Sequence, residues 1–167
     1  MCCRLGRNSF GRQAFTLVEI LVVVVILGIA AAMIVPRVTD TGDLQVESAA
    51  REMLADLQYA QSEAIVTQLP TTVTFNDAAE SYTLSNTKGT LVHPLTKRSF
   101  TTSFPNTQGV QGVTITSSNF NGGHTVTFDA LGGPDNGGSV TLAANAHTYR
   151  VDVAAVTGKT SATVLNP

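Results

Sequence analysis

The sequence predicts an α+β protein: a long apolar N-terminal helix, an amphipathic second helix, and a C-terminal antiparallel β domain. Three observations carry this. Residues 15–35 form an apolar run with one carboxylate, Glu19, near its start. Residues 44–68 repeat apolar side chains at three- and four-residue steps. From Thr71 the composition shifts to Thr, Val, Ser and Gly, and the period becomes two.

The apolar run reads FTLVEILVVVVILGIAAAMIV and is closed by Pro36. As a helix, 21 residues extend about 31 Å, enough to cross the hydrocarbon layer of a bilayer. A charge inside that layer costs on the order of 3 kcal/mol or more, so Glu19 calls for a partner. Arg4, Arg7 and Arg12 precede the run with no acid among them, whereas Arg37 and then the acids Asp40, Asp43 and Glu47 come after it. The positive-inside bias then leaves the N-terminus in the cytoplasm and the rest of the chain outside.

Ala14-Phe15-Thr16-Leu17-Val18-Glu19, the unbroken apolar run and the proline together resemble the N-terminus of type IV prepilins and type II secretion pseudopilins. The resemblance implies a leader over residues 1–14. A prepilin peptidase would cut it off between Ala14 and Phe15 and methylate the new amine of Phe15. That family usually has Gly before the cut, where this chain has Ala14. Residues 15–35 would remain as an inner-membrane anchor and later as filament core, with Glu19 serving assembly. The rival is an ordinary secretory signal, cut before Met33 after the small residues Ala30-Ala31-Ala32, releasing a soluble β-domain protein. Against it, the apolar run continues through Met33-Ile34-Val35, and Glu19 is left without a role.

Charge and cysteines restrict the part of the chain beyond the anchor. The whole chain carries −2; without the leader, 7 Lys and Arg face 12 Asp and Glu. Long-range attraction to nucleic acid is therefore not expected. Both cysteines, Cys2 and Cys3, lie in the leader, so the exported part has neither a disulfide nor a thiolate metal site. Pro36 and Gly42 mark residues 36–43 as a kink or linker, and a globular domain occupies 44–167.

In that domain, Val46, Ala50, Met53, Leu54, Leu57, Ala60, Ala64 and Ile65 give the second helix its apolar face, with Asp43 as N-cap. Pro70 ends the helical part. Strands are predicted at 71–75, 82–85, 113–116, 125–128, 139–143, 149–153 and 161–165, so that residues 71–167 form a sheet on which the helix packs. Turn-rich pieces such as Asn121-Gly122-Gly123 and the glycine-rich 132–138 separate them. Residues 88–111 have the weakest pattern and are read as a long loop or excursion.

The helix from Ala49 to Ile65, with its Gln61-Ser62-Glu63-Ala64-Ile65 segment, narrows the resemblance. It is similar to the post-anchor helix of the H-type minor pseudopilins and of related minor pilins. Thr127-Phe128-Asp129-Ala130-Leu131-Gly132, Tyr149-Arg150-Val151 and Thr157-Gly158-Lys159 look like the C-terminal sheet of that subgroup. The resemblance implies a minor structural subunit of the periplasmic pseudopilus of a type II secretion system. Its partners would be other pseudopilins, the prepilin peptidase and inner-membrane lipid. The alternative is a minor type IV pilin that primes pilus assembly or serves DNA uptake. The absence of a basic tail after Lys159 favours the former.

No catalytic set is evident, and no cofactor or metal is expected. His93, His124 and His147 are scattered, without Cys, Asp or Glu at ligand or triad spacing, and are read as surface or turn residues. Asp129, Asp135 and Asn136 lack the dense alternation of a calcium loop and are read as turn residues. Lys97-Arg98, near Phe100 and Phe104, is one basic pair and falls short of a nucleic-acid groove.

Overall fold

A computed structural model of the chain describes residues 15–38 and 42–166, with side chains at 15–31 and 42–166. The chain divides into two compact units, Met1–Asp40 and Thr41–Pro167.

In the first unit, α1 spans Leu17–Val38. It passes Pro36, which therefore does not close the helix. Near the helix end a proline removes only one backbone bond, so two more residues can continue past it. Residues 39–41 of the expected kink or linker over 36–43 lie outside the described residues. Among the described residues no helix is long and apolar enough to cross a membrane. The part of α1 with described side chains, residues 17–31, is about 22 Å long, short of the ~30 Å hydrocarbon layer.

In the second unit, α2 spans Gly42–Thr67. It starts earlier than expected, so Asp43 is not the N-cap but lies in the first turn, at the positive end of the helix dipole. Gly42 is buried there. A Cβ on it would lie 2.7 Å from Asn145 Nδ2 and 3.0 Å from the Ala144 carbonyl, so the close approach depends on glycine. The buried face consists of Val46, Ala49, Ala50, Met53, Leu57, Ala60 and Ala64. Leu54 is only half-buried and Ile65 is exposed, which makes the apolar stripe narrower than the periodicity suggests.

Nine strands follow among the described residues: β1 Thr71–Asn76, β2 Ser81–Asn86, β3 Gly89–Thr90, β4 Thr101–Ser103, β5 Thr114–Asn119, β6 Thr125–Phe128, β7 Gly138–Ala144, β8 His147–Val153 and β9 Thr160–Asn166. Seven coincide with the strands read from the alternating pattern. β3 and β4 lie in the weakly patterned stretch and are too short to alternate. The strands form two antiparallel sheets rather than one. The first has the order β3-β2-β1-β6, with β4 also on β2. The second has the order β5-β7-β8-β9. α2 contacts β1 and β6 of the first and β7, β8 and β9 of the second.

The core lies between helix and sheets. Val73, Leu84, Val126 and Phe128 from the first sheet join Val140, Leu142 and Val151 from the second. Phe75 on β1 stacks on Phe120, just after β5, with ring centroids 5.4 Å apart. Tyr82 on β2 meets Phe104 edge-on at 6.0 Å. Phe104 belongs to a short 3-10 turn, Phe104–Asn106, so the weakly patterned stretch is fixed by its phenylalanines.

Leu57→Ala should remove a fully buried side chain from the face shared by both sheets and cost about 2–5 kcal/mol. Leu44→Ala, at an exposed position of the same helix, should stay within about 0.5 kcal/mol of the parent. Denaturant titration of the two variants against the parent chain measures both.

Candidate functional site

The first site is the start of α1. Thr16 precedes the helix, and its Oγ1 accepts from the Glu19 backbone N–H at 3.3 Å. Its carbonyl accepts from the N–H groups of Glu19 at 3.1 Å and Ile20 at 3.3 Å. Thr16 is therefore the N-cap and Glu19 the third helical residue, with its carboxylate at the positive end of the dipole. The Thr-x-x-Glu spacing of a capping box is the signal for this cap, and a reading centred on charge partners misses it. The large apolar side chains from Phe15 to Ile29 are all exposed, between 47% and 82%. Of the expected site residues, Phe15 and Glu19 are thus brought to one helix end. Ala14 lies outside the described residues, and Pro36 lies within α1.

The second unit holds three polar clusters. On α2, the Asp56 carboxylate accepts from the buried Tyr82 hydroxyl at 2.7 Å and from Thr102 Oγ1 at 3.4 Å. Glu52 stands one turn earlier, in a polar groove with His93, Arg98 and the hydroxyls of Thr101, Thr102 and Ser103. Burial raises the pKa of Glu52; the charge of Asp56 adds to the rise and His93 opposes it. Burial likewise raises Asp56, against its bond from Tyr82, the nearby His93 and the bond from Thr102. His93 itself rests on Phe100 at 4.5 Å, and its Nδ1 accepts from the N–H groups of Leu95 and Thr96. It is thus a loop-forming histidine.

The second cluster gives His124, an exposed loop residue as expected, polar partners that the sequence does not show. The fold brings Asp77, Ser118 and His124 together from three segments. Ser118 Oγ donates to Asp77 Oδ1 at 2.6 Å and lies 2.7 Å from His124 Nδ1; His124 Nδ1 is 3.6 Å from Asp77 Oδ2. Linear spacing carries no sign of this, because 41 residues separate Asp77 from Ser118. The order is not that of an activated nucleophile. Asp77 and His124 both converge on Ser118, which is buried, and the hydroxyl proton is directed to the carboxylate. The cluster ties the 3-10 turn Asp77–Ala79 to β5 and to the loop before β6.

The third cluster is the glycine-rich turn. Asp129 Oδ1 accepts from the N–H groups of Leu131 and Gly133, and Asp135 Oδ1 from those of Thr127 and Asn136. These carboxylates are engaged in shaping the turn. Among the described residues no group of three His, Cys, Asp or Glu side chains could hold a metal ion. Lys97 and Arg98 are both exposed, in the loop that carries His93.

Residues 49–158, about two thirds of the chain, match the family described as type II transport protein GspH. Residues 10–35 match the prokaryotic N-terminal methylation motif. No curated protein matches the chain in sequence. Among solved structures, the minor pseudopilin EpsH of the Vibrio cholerae type 2 secretion system is similar, with a TM-score of 0.54 at 13% identity over 74% of this chain and 98% of that one. A second EpsH structure gives 0.51 at 15% identity, over 75% and 96%. The type IV minor pilin FimU of Pseudomonas aeruginosa gives 0.49 at 19% identity, over 70% and 91%. At these identities the EpsH likeness establishes the fold, an N-terminal helix followed by antiparallel sheets.

The raised carboxyls give a signed pH dependence. A carboxyl with a folded pKa above its unfolded value stabilises the fold most when protonated. That contribution is complete below the ordinary values, 4.5 for Glu52 and 3.8 for Asp56, and is lost as pH rises through the raised folded values. Glu52→Gln should therefore be the more stable chain at neutral pH, by less than about 1 kcal/mol because the groove is open to solvent. The advantage should shrink toward pH 4.5. Thermal unfolding of both chains across this range checks it.

Proposed function

This chain belongs to the family of the type II transport protein GspH, and from that membership we propose that it is a minor pseudopilin. It serves as a structural subunit of the periplasmic pseudopilus in a type II protein secretion system, with no catalytic step of its own. The observation that carries the reading is the coincidence, in one chain, of the methylation motif over 10–35 and the GspH match over 49–158. Between the two filament readings, membership in the secretion family favours the pseudopilus over the type IV pilus.

The proposal extends to the N-terminus. A prepilin peptidase removes residues 1–14, and Phe15 becomes the methylated first residue. Residues 15–35, 21 positions apolar except for Thr16, Glu19 and Gly28, hold the chain in the inner membrane with its C-terminal domain in the periplasm. The exposed apolar side chains of α1 support this. Glu19 then has two roles. Its position in the first turn favours the helix, and its carboxylate is available to the Phe15 amine of a neighbouring subunit. Other pseudopilins, the peptidase and the lipid are the partners.

Mass spectrometry of the membrane-extracted protein should find Phe15 as the N-terminus, carrying one added methyl group. A chain starting at Met33 would refute the pseudopilin reading. Glu19→Val should stay in the membrane yet associate poorly with the other pseudopilins, because an amine buried without its carboxylate costs about 3–5 kcal/mol. Crosslinking to those partners at the parental level would show that Glu19 does not act through such a pair.

A further inference from the structure

Two sheets have four edges; among the described residues two are capped and one ends in very short strands. In the first sheet, the outer side of β2 carries only the two- and three-residue strands β3 and β4. On the β6 side, the Thr127 N–H donates to Asp135 Oδ1 and the Asp135 N–H donates to the Thr127 carbonyl, both at 2.8 Å. Phe128 also bridges to Pro134, so the turn after β6 covers that edge. In the second sheet, β5 is capped by side chains. The Ser118 N–H donates to Asp77 Oδ2 at 3.1 Å, and the Ile115 N–H donates to Glu80 Oε2.

β9 is different. It is seven residues long and pairs with β8 from Thr160 to Asn166. Among the described residues, no strand, loop or carboxylate is bonded to the backbone of its outer side. Its sequence, Thr-Ser-Ala-Thr-Val-Leu-Asn, contains neither a charge nor a proline, the usual means of blocking an edge. Residues 161–166 are exposed along the whole strand. Alternate N–H and C=O groups of such an edge point outward at the spacing of a missing neighbour, and another strand is the group that satisfies them.

We propose that β9 is a pairing edge through which two copies of this chain associate, antiparallel and about a two-fold axis. A donor strand must itself have an open edge of similar length, and among the described residues β9 alone meets that requirement. A two-fold axis lets each β9 satisfy the other, and the neutral strand opposes no like charges across it. The two four-stranded sheets then continue as one of eight. This pairing does not depend on the filament reading and can fail or hold without it.

The test uses the full chain in membranes, with Cys2 and Cys3 changed to Ser. Single cysteines are placed by Ser161→Cys, Ala162→Cys, Thr163→Cys, Val164→Cys and Leu165→Cys, with Ser117→Cys on the capped β5 edge as control. Mild oxidation should give a dimer at twice the mass of the single chain seen under reducing conditions, peaking sharply at one β9 position and absent at 117. Equal yields at all positions, or none above the control, would overturn the proposal. Lysine at a neighbouring edge position, Ser161→Lys or Thr163→Lys, should lower the peak adduct at least tenfold while leaving thermal unfolding unchanged. An undiminished adduct counts against strand pairing. A photo-crosslinker at Thr163 that captures a different chain instead of a second copy overturns the two-fold assignment.

Discussion

One helix has to serve two sheets, and the rest of the globular unit is arranged around that constraint. α2 contacts β1 and β6 on one side and β7, β8 and β9 on the other. A helix wedged against two surfaces must be slim where it touches them. Four alanines, Ala49, Ala50, Ala60 and Ala64, accordingly lie at or near zero exposure, with Met53 and Leu57 filling the wider space between. Close packing makes such a site sensitive to added as well as removed volume. The same tightness appears at Gly42, where the Asn145 turn leaves no room for a Cβ.

Polar side chains complete the joints that the apolar core leaves open. Asp56 ties α2 to β2 and β4 through Tyr82 and Thr102. Gln61, one helical turn from Leu57, donates to the carbonyls of Gly132 and Thr157 and so holds the loops after β6 and β8 together. Asp77 and Glu80 come from the turn between β1 and β2 in one sheet and cap β5 in the other. Each joint is a side chain bonded to atoms far away in sequence.

That distribution explains how much of the fold is legible in the amino-acid order. Elements with a long, regular period are legible: α2 from its three- and four-residue steps, and β1, β2 and β5 to β9 from alternation. β3 and β4 are not, because two or three residues cannot alternate. The division into two sheets is not legible either, since a strand pattern records which face is buried and not which neighbour is paired. At the sites, Glu19 stands out because a charge in an apolar run is conspicuous, whereas the Thr16 cap three residues earlier has a recognisable spacing that the charge overshadows. Asp77, Ser118 and His124 have no sequence signal at all. Their meeting is a product of the fold, and only their packing identifies the trio as a clasp.

The exposed apolar side chains of α1 set it apart from the other described elements. A folded unit ordinarily carries its own interior, and the globular unit does, from Val46 to Val153. α1 has none. With its large apolar groups in the open from Leu17 to Ile29, it is a surface without an inside. Two different solvents are thus written into one polypeptide. The code of residues 42–166 is solved in water, where apolar groups hide from the medium. The code of α1 has its solution only where the surroundings are themselves apolar, so its stability is borrowed from whatever encloses it. Water, by contrast, would meet all of these groups at once.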